Sequence, residues 1–136
     1  MYSECLTIEP TKKTPGIFLG PGKIIITGRS IPENSSNLYK PVYEWIKKYL
    51  PYWRGSTEIT MAFEFINTTS IKWIYEILKE ISSIIYEYNS LIKITWYYEE
   101  GDEDMYDLGS IISTLVRCPF RIVKVTDINN CEFSFQ

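Results

Sequence analysis

The 136-residue chain contains no histidine. That removes the Ser-His-Asp and Cys-His arrangements, the usual zinc ligand sets and the commonest general base. Cysteine is scarce: Cys5, Cys118 and Cys131 stand far apart with no CxxC pair. This argues against a disulfide framework or a metal knuckle and fits a reducing compartment. Charges interrupt every hydrophobic stretch, so nothing approaches the ~18-residue apolar run of a membrane span. The start, Met1-Tyr2-Ser3-Glu4, lacks a charged-then-apolar leader pattern, and a cytoplasmic protein is expected. GxGxxG, GxxxxGK(S/T) and GxSxG are all missing, which leaves nucleotide-phosphate cradles and hydrolase elbows without support.

The remaining composition is that of an ordinary globular domain, with 45% hydrophobic and 23% charged residues. Fourteen basic residues against seventeen acidic ones give a formal charge of −3. No basic face is implied, so neither nucleic acid nor an anionic membrane is expected as a partner.

Periodicity organises the chain. Two short apolar segments, Cys5–Glu9 and Ile17–Leu19, flank a breaker-rich stretch from Pro10 to Gly16. Gly20-Pro21-Gly22 is a turn signal, and the β-branched run Lys23–Gly28 completes a predicted hairpin with 17–19. Leu38, Val42, Trp45, Ile46, Tyr49 and Leu50 then recur at helical spacing. Asn34, Ser35 and Ser36 are N-cap candidates, but Pro41 predicts that the regular helix begins nearer residue 38. Pro51 and Gly55 mark its end.

Glu58–Phe65 alternates as a strand. A long helix follows from Asn67–Ser70, with Ile71, Ile74, Leu78, Ile81, Ile85 and Tyr88 along one face and Asn89-Ser90 as its stop. Leu91–Tyr98 is β-rich and leads through an acidic turn to a helix from about Asp104 to Val116. Met105, Leu108, Ile111, Ile112 and Leu115 are expected on one side of it. Phe120–Val125 forms the last strand, and 126–136 has no assignable pattern. Strands alternating with helices imply an α/β fold: one domain over 1–125, with a mixed, mostly parallel sheet, an N-terminal hairpin and three flanking helices.

Three constellations could carry function. At Phe65-Ile66-Asn67-Thr68-Thr69-Ser70 a strand end feeds a helix start, where unpaired amides and the helix dipole tolerate an anion. Capping explains one of these side chains, and phosphorylation of an exposed hydroxyl is compatible with it. Glu99-Glu100-Gly101-Asp102-Glu103-Asp104 carries five carboxylates in six residues. It is readable as a first-turn dipole contribution, as a partner-facing acidic knob, or as a hard-cation site in a small acidic metal-binding domain or enzyme. Four Trp and eleven Tyr are core by default, while Tyr97 in Trp96-Tyr97-Tyr98 suits an interface. Arg29, Glu33 and Asn34, in the loop after the hairpin, reach the rim of the junction or serve only as loop polarity and caps.

Four segments, Pro21–Asn34, Phe65–Lys72, Trp96–Met105 and Cys118-Pro119-Phe120, together resemble the SiaC-type regulatory phosphoprotein family of small bacterial proteins. That family is similar to the STAS domains of anti-anti-sigma factors. The resemblance implies a non-enzymatic switch with no catalytic residue, cofactor or metal. It implies phosphorylation on a threonine by a SiaB-type protein kinase and dephosphorylation by a PP2C-type phosphatase. It further implies that the unphosphorylated form binds a signalling effector such as a diguanylate cyclase; an anti-anti-sigma-like antagonist is the alternative output. Carried over, the acceptor is Thr68, with Thr69 as second choice. Arg29, Glu33, Asn34, Asn67, Thr69, Ser70, Lys72, Tyr97, Glu99 and Asp102 are the expected partner contacts.

Overall fold

A computed structural model describes residues 5–88 and 91–130 of the chain. Six strands form one sheet in sequential order: β1 (Leu6–Ile8), β2 (Gly16–Gly20), β3 (Lys23–Ser30), β4 (Ser56–Ile66), β5 (Leu91–Glu99) and β6 (Phe120–Val125). The first two pairings are antiparallel and the last three parallel. The predicted hairpin is β2–β3. Its turn closes at Gly22, whose φ of +82° suits glycine, and a side chain there would meet Ser56 O and the Trp53 indole. Strand β1 adds a third antiparallel member that the sequence pattern showed only as a short apolar segment.

Helices α1 (Ser35–Tyr49), α2 (Thr68–Tyr88) and α3 (Glu103–Leu115) connect the parallel strands. Alternation sends Ile24, Ile26, Ile59, Met61, Phe63, Ile92, Ile94 and Trp96 to the same sheet face. They form one core there with Tyr39, Val42 and Ile46 of α1, Ile74, Ile77, Leu78 and Ile81 of α2, and Met105 and Ile112 of α3. All three helices therefore cover that face. No helix among the described residues is long and apolar enough to cross a membrane.

Two expectations are corrected. Helix α1 starts at Ser35 and not near 38, because Asn34 caps it by accepting from Asn37 N at 3.2 Å. Pro41 sits inside, on the exposed side, where water can serve the Asn37 carbonyl left without its N–H partner. In α3, Met105, Gly109 and Ile112 are buried, whereas Ile111 and Leu115 are more than half exposed. Trp96 presses on Gly109 and rotates the buried stripe away from them. The predicted helix stop at Asn89-Ser90 and the side chains of Ile85 and Tyr88 lie outside the described residues, as does 131–136.

One irregularity shapes the functional end of the sheet. The β3–β4 register steps from Gly28↔Phe63 to Arg29↔Phe65, so Glu64 is an extra residue on β4. Such a bulge shifts the alternation by one. Phe63 still faces the core, but Phe65 is turned outward and is 53% exposed.

Candidate functional site

The carboxyl ends of parallel strands β3 and β4 lead into the N-termini of α1 and α2, the place where open α/β sheets hold their ligands. Backbone pairing sets the two connections side by side: Asn67 N donates to Ser30 O at 2.9 Å, and Asn67 Nδ2 donates to Pro32 O at 3.3 Å. Asn67 is also the cap of α2. Its Oδ1 accepts from Ser70 N at 2.9 Å and from the Thr69 hydroxyl at 3.3 Å. The capping role expected at this junction thus falls to the carboxamide.

Thr68 is the first residue of α2 and is exposed. Its hydroxyl makes no hydrogen bond among the described residues, while the amides of the first helical turn surround its backbone. Lys72, also exposed, stands one turn further on the same flank of the helix. Thr69 is engaged on both sides, since its Oγ1 also lies 2.5 Å from Ser35 Oγ of α1.

Beneath the surface a chain of hydroxyls fixes the junction. Ser30 Oγ lies 2.5 Å from Tyr39 Oη and donates to Ser70 Oγ at 2.9 Å, and all three residues are fully buried. This network joins the end of β3 to both helices. Burial pushes the Tyr39 phenol up to about 12, its hydrogen bonds to Ser30 and Ser70 opposing the shift, so it stays neutral. Ser70, expected as a partner contact, is instead part of this internal support and does not reach the surface.

On the sheet face away from the helices, Arg29 Nε donates to Glu64 Oε1 at 2.9 Å, and its guanidinium stands 5.7 Å from the Phe65 ring centroid. The hydrogen bond from Arg29 holds the Glu64 carboxyl below the usual carboxylate range, assisted by a hydrogen bond from Asn129. Exposed Ile31 leaves β3 beside Asn67, so apolar Ile31 and Phe65 accompany Thr68 at this end of the sheet. Glu33 is highly exposed and pairs loosely with Lys13 at 3.5 Å. Asn34 is engaged as the α1 cap.

Tyr97 and Glu99 lie among the last residues of strand β5 and Asp102 in the connection to α3, and none of them has a described contact with the Asn67–Thr69 cluster. Tyr97 is half-buried on the face away from the helices, level with Ala62. Asp102 caps α3 by accepting from Met105 N at 3.1 Å, and Glu103 and Asp104 occupy its first turn. Glu99 Oε1 accepts from Ile128 N at 2.9 Å. Among the described residues no three carboxylates or cysteines gather into a group that could hold a metal ion. The stretch that the sequence left unassigned is described as far as Asn130. Residues Ile128–Asn130 form a 3-10 turn that links Glu99 through Ile128 and Asn129 to Glu64 and Arg29.

Residues 8–125 match the model of the SiaC family regulatory phosphoproteins. The chain belongs to that family. An uncharacterised protein of Pseudomonas aeruginosa strain UCBPP-PA14 is 27% identical over 119 residues, spanning 86% of this chain and 94% of the relative. The solved structure of SiaC from Pseudomonas aeruginosa superposes with a TM-score of 0.81 at 26% identity, covering 90% of this chain and 99% of SiaC. SiaC within the crystal structure of the diguanylate cyclase SiaD in complex with its activator SiaC matches at a TM-score of 0.79 and 26% identity, covering 88% and 99%. The family match contains the whole β4–α2 junction and stops before the Ile128–Asn130 turn.

Ser30, Ser35, Tyr39 and Glu64 escaped the sequence reading as site components. Ser35 carried a signal only as a cap candidate, and the others act through partners far along the chain.

Proposed function

We propose that this SiaC-family protein is a non-enzymatic cytoplasmic switch, reversibly phosphorylated on Thr68. A SiaB-type protein kinase adds the phosphate and a PP2C-type phosphatase removes it. The unphosphorylated form binds and regulates a signalling effector, for which a diguanylate cyclase is the candidate, since SiaC of Pseudomonas aeruginosa is the activator of the diguanylate cyclase SiaD. Residues 1–125 carry this function as one domain, and the 3-10 turn Ile128–Asn130 packs against it through Glu99.

One observation carries the reading: Thr68 is exposed and its hydroxyl is unengaged among the described residues, at a helix start capped by its neighbour Asn67. The acceptor can be modified without undoing the cap. Phosphorylation adds about −1.5 to −2 charge at the same end of the sheet as exposed Ile31 and Phe65. A partner that packs on the neutral threonine would then have to bury a hydrated dianion, which is strongly unfavourable unless it is paired. The switch needs no large conformational change. In this reading Thr69, Asn67, Arg29, Glu33, Asn34 and Lys72 are the partner contacts around the acceptor, joined by Tyr97, Glu99 and Asp102.

Incubation with the kinase and ATP, followed by phosphopeptide mapping, tests the site: phosphate is expected on Thr68 and lost in Thr68→Ala. Co-purification of the cyclase with the unmodified form only is expected next. Equal cyclase binding by the phosphorylated form would defeat the reading.

A further inference from the structure

Thr68 and Thr69 are adjacent and both exposed, yet their oxygens have different surroundings. Thr69 Oγ1 lies 2.5 Å from Ser35 Oγ and 3.3 Å from Asn67 Oδ1. A carboxamide oxygen only accepts, so Thr69 gives its proton to Asn67 and Ser35 gives its own to Thr69. Ser35 projects from the first turn of the neighbouring helix α1 and is 6% exposed, held there by the Asn34 cap beside it. The Thr68 hydroxyl has no such partner among the described residues.

We infer that Ser35 is a positioning residue that selects which threonine is phosphorylated, tying the Thr69 hydroxyl down and leaving Thr68 as the acceptor. The inference rests on the switch reading above and deepens it. In the transfer, the acceptor oxygen bonds to the γ-phosphorus of a nucleoside triphosphate held by the kinase. The bond from that phosphorus to its bridging oxygen breaks, nucleoside diphosphate leaves, and the hydroxyl proton passes to a base on the kinase. The acceptor must therefore aim a lone pair at phosphorus and its proton at that base.

At Thr69 the proton is directed at Asn67 and Ser35 occupies the oxygen's other side. A phosphoryl group on that oxygen would displace Ser35 from its place at the start of α1. Thr68 meets neither obstacle. Two consecutive threonines thus become one acceptor through a contact with a residue more than thirty positions earlier in the chain.

The test maps phosphate by mass spectrometry on the full-length protein after incubation with the kinase and ATP. The variants are Thr68→Ala, Ser35→Ala, the double variant Ser35→Ala/Thr68→Ala, and Ser35→Thr, each checked for native circular dichroism. The wild type is expected to carry phosphate on Thr68 alone, and Thr68→Ala to carry almost none. The double variant is expected to gain phosphate on Thr69 at least about tenfold over Thr68→Ala. Ser35→Thr, which keeps the hydroxyl, is expected to restore labelling confined to Thr68. Phosphate on Thr69 in Thr68→Ala, or none on Thr69 in the double variant, overturns the selection while the switch stands. A wild type labelled on neither threonine overturns the switch and the selection together.

Discussion

Gly109 of α3 lies so close to the Trp96 indole that a Cβ there would fall 2.6 Å from Trp96 Cδ1 and 2.7 Å from Nε1. The ring cannot retreat easily. It is fully buried, stacks on Phe120, touches Phe63, and donates from Nε1 to Met105 O at 3.1 Å. Gly109→Ala would favour the helix by about 1 kcal/mol in an open position. Here overpacking, typically about 1–3 kcal/mol, outweighs that gain. Urea unfolding is expected to show a net loss of up to about 2 kcal/mol, and a stabilised variant would mean that α3 and Trp96 are more loosely packed.

Asn67 and Thr68 are neighbours with opposite structural duties. Asn67→Ala removes a cap that accepts from Ser70 N and Thr69 Oγ1, and a loss of about 0.5–2 kcal/mol is expected. Thr68→Ala removes a hydroxyl with no described hydrogen bond, so stability should stay within about 0.5 kcal/mol of wild type. Chemical denaturation of the pair checks this. A marked loss in Thr68→Ala would assign the threonine a structural role and weaken its reading as a free acceptor.

Much of this was legible because its causes are local. Strand and helix periods depend on neighbouring residues, and so does the cap chemistry that pointed to Asn67–Ser70. The failures have non-local causes. Alternation from Ile59 through Met61 and Phe63 predicts Phe65 in the core, and only the extra residue Glu64 in the β3–β4 register turns it outward. The Tyr39–Ser30–Ser70 network joins residues 9 and 40 positions apart, and no local pattern announces it. Pro41 misled because its cost depends on whether the freed carbonyl faces water, which is a property of the packed helix.

That buried network makes a pH prediction. Tyr39 is raised from an ordinary value of 10.0 to about 12, chiefly by burial. The folded state therefore holds the phenolic proton more tightly than the unfolded state. The associated stability is fully present below pH 10 and is lost as the pH rises from 10 through 12, by roughly 2–3 kcal/mol in all. Other tyrosines titrate nearby, so the informative quantity is the difference between wild type and Tyr39→Phe. Near neutral pH the variant is expected to be about 1–2 kcal/mol less stable, because Ser30 loses a buried partner. The gap should narrow between pH 10 and 12, and a gap independent of pH would mean that Tyr39 titrates normally in the folded protein.

Ile31 and Phe65 test the docking face itself. They are 38% and 53% exposed at the ends of β3 and β4, the latter leading into Thr68, with Arg29 over the Phe65 ring. Large apolar side chains exposed at the end of the sheet that holds the proposed acceptor suit the centre of an interface, where a few aromatic or aliphatic anchors carry most of the binding energy. Phe65→Ala removes little from the fold, since the ring is half exposed and its contact with Arg29 is worth about 0.5–1 kcal/mol. Its stability should fall by no more than about 1 kcal/mol. Affinity for the cyclase should fall at least about tenfold, equivalent to about 1.4 kcal/mol. Ile111→Ala on α3, equally exposed but away from the junction, serves as the control and should leave binding unchanged. Titration calorimetry of the three proteins against the cyclase separates the outcomes: weakening by Ile111→Ala and not by Phe65→Ala would move the docking face from the β4–α2 junction to α3.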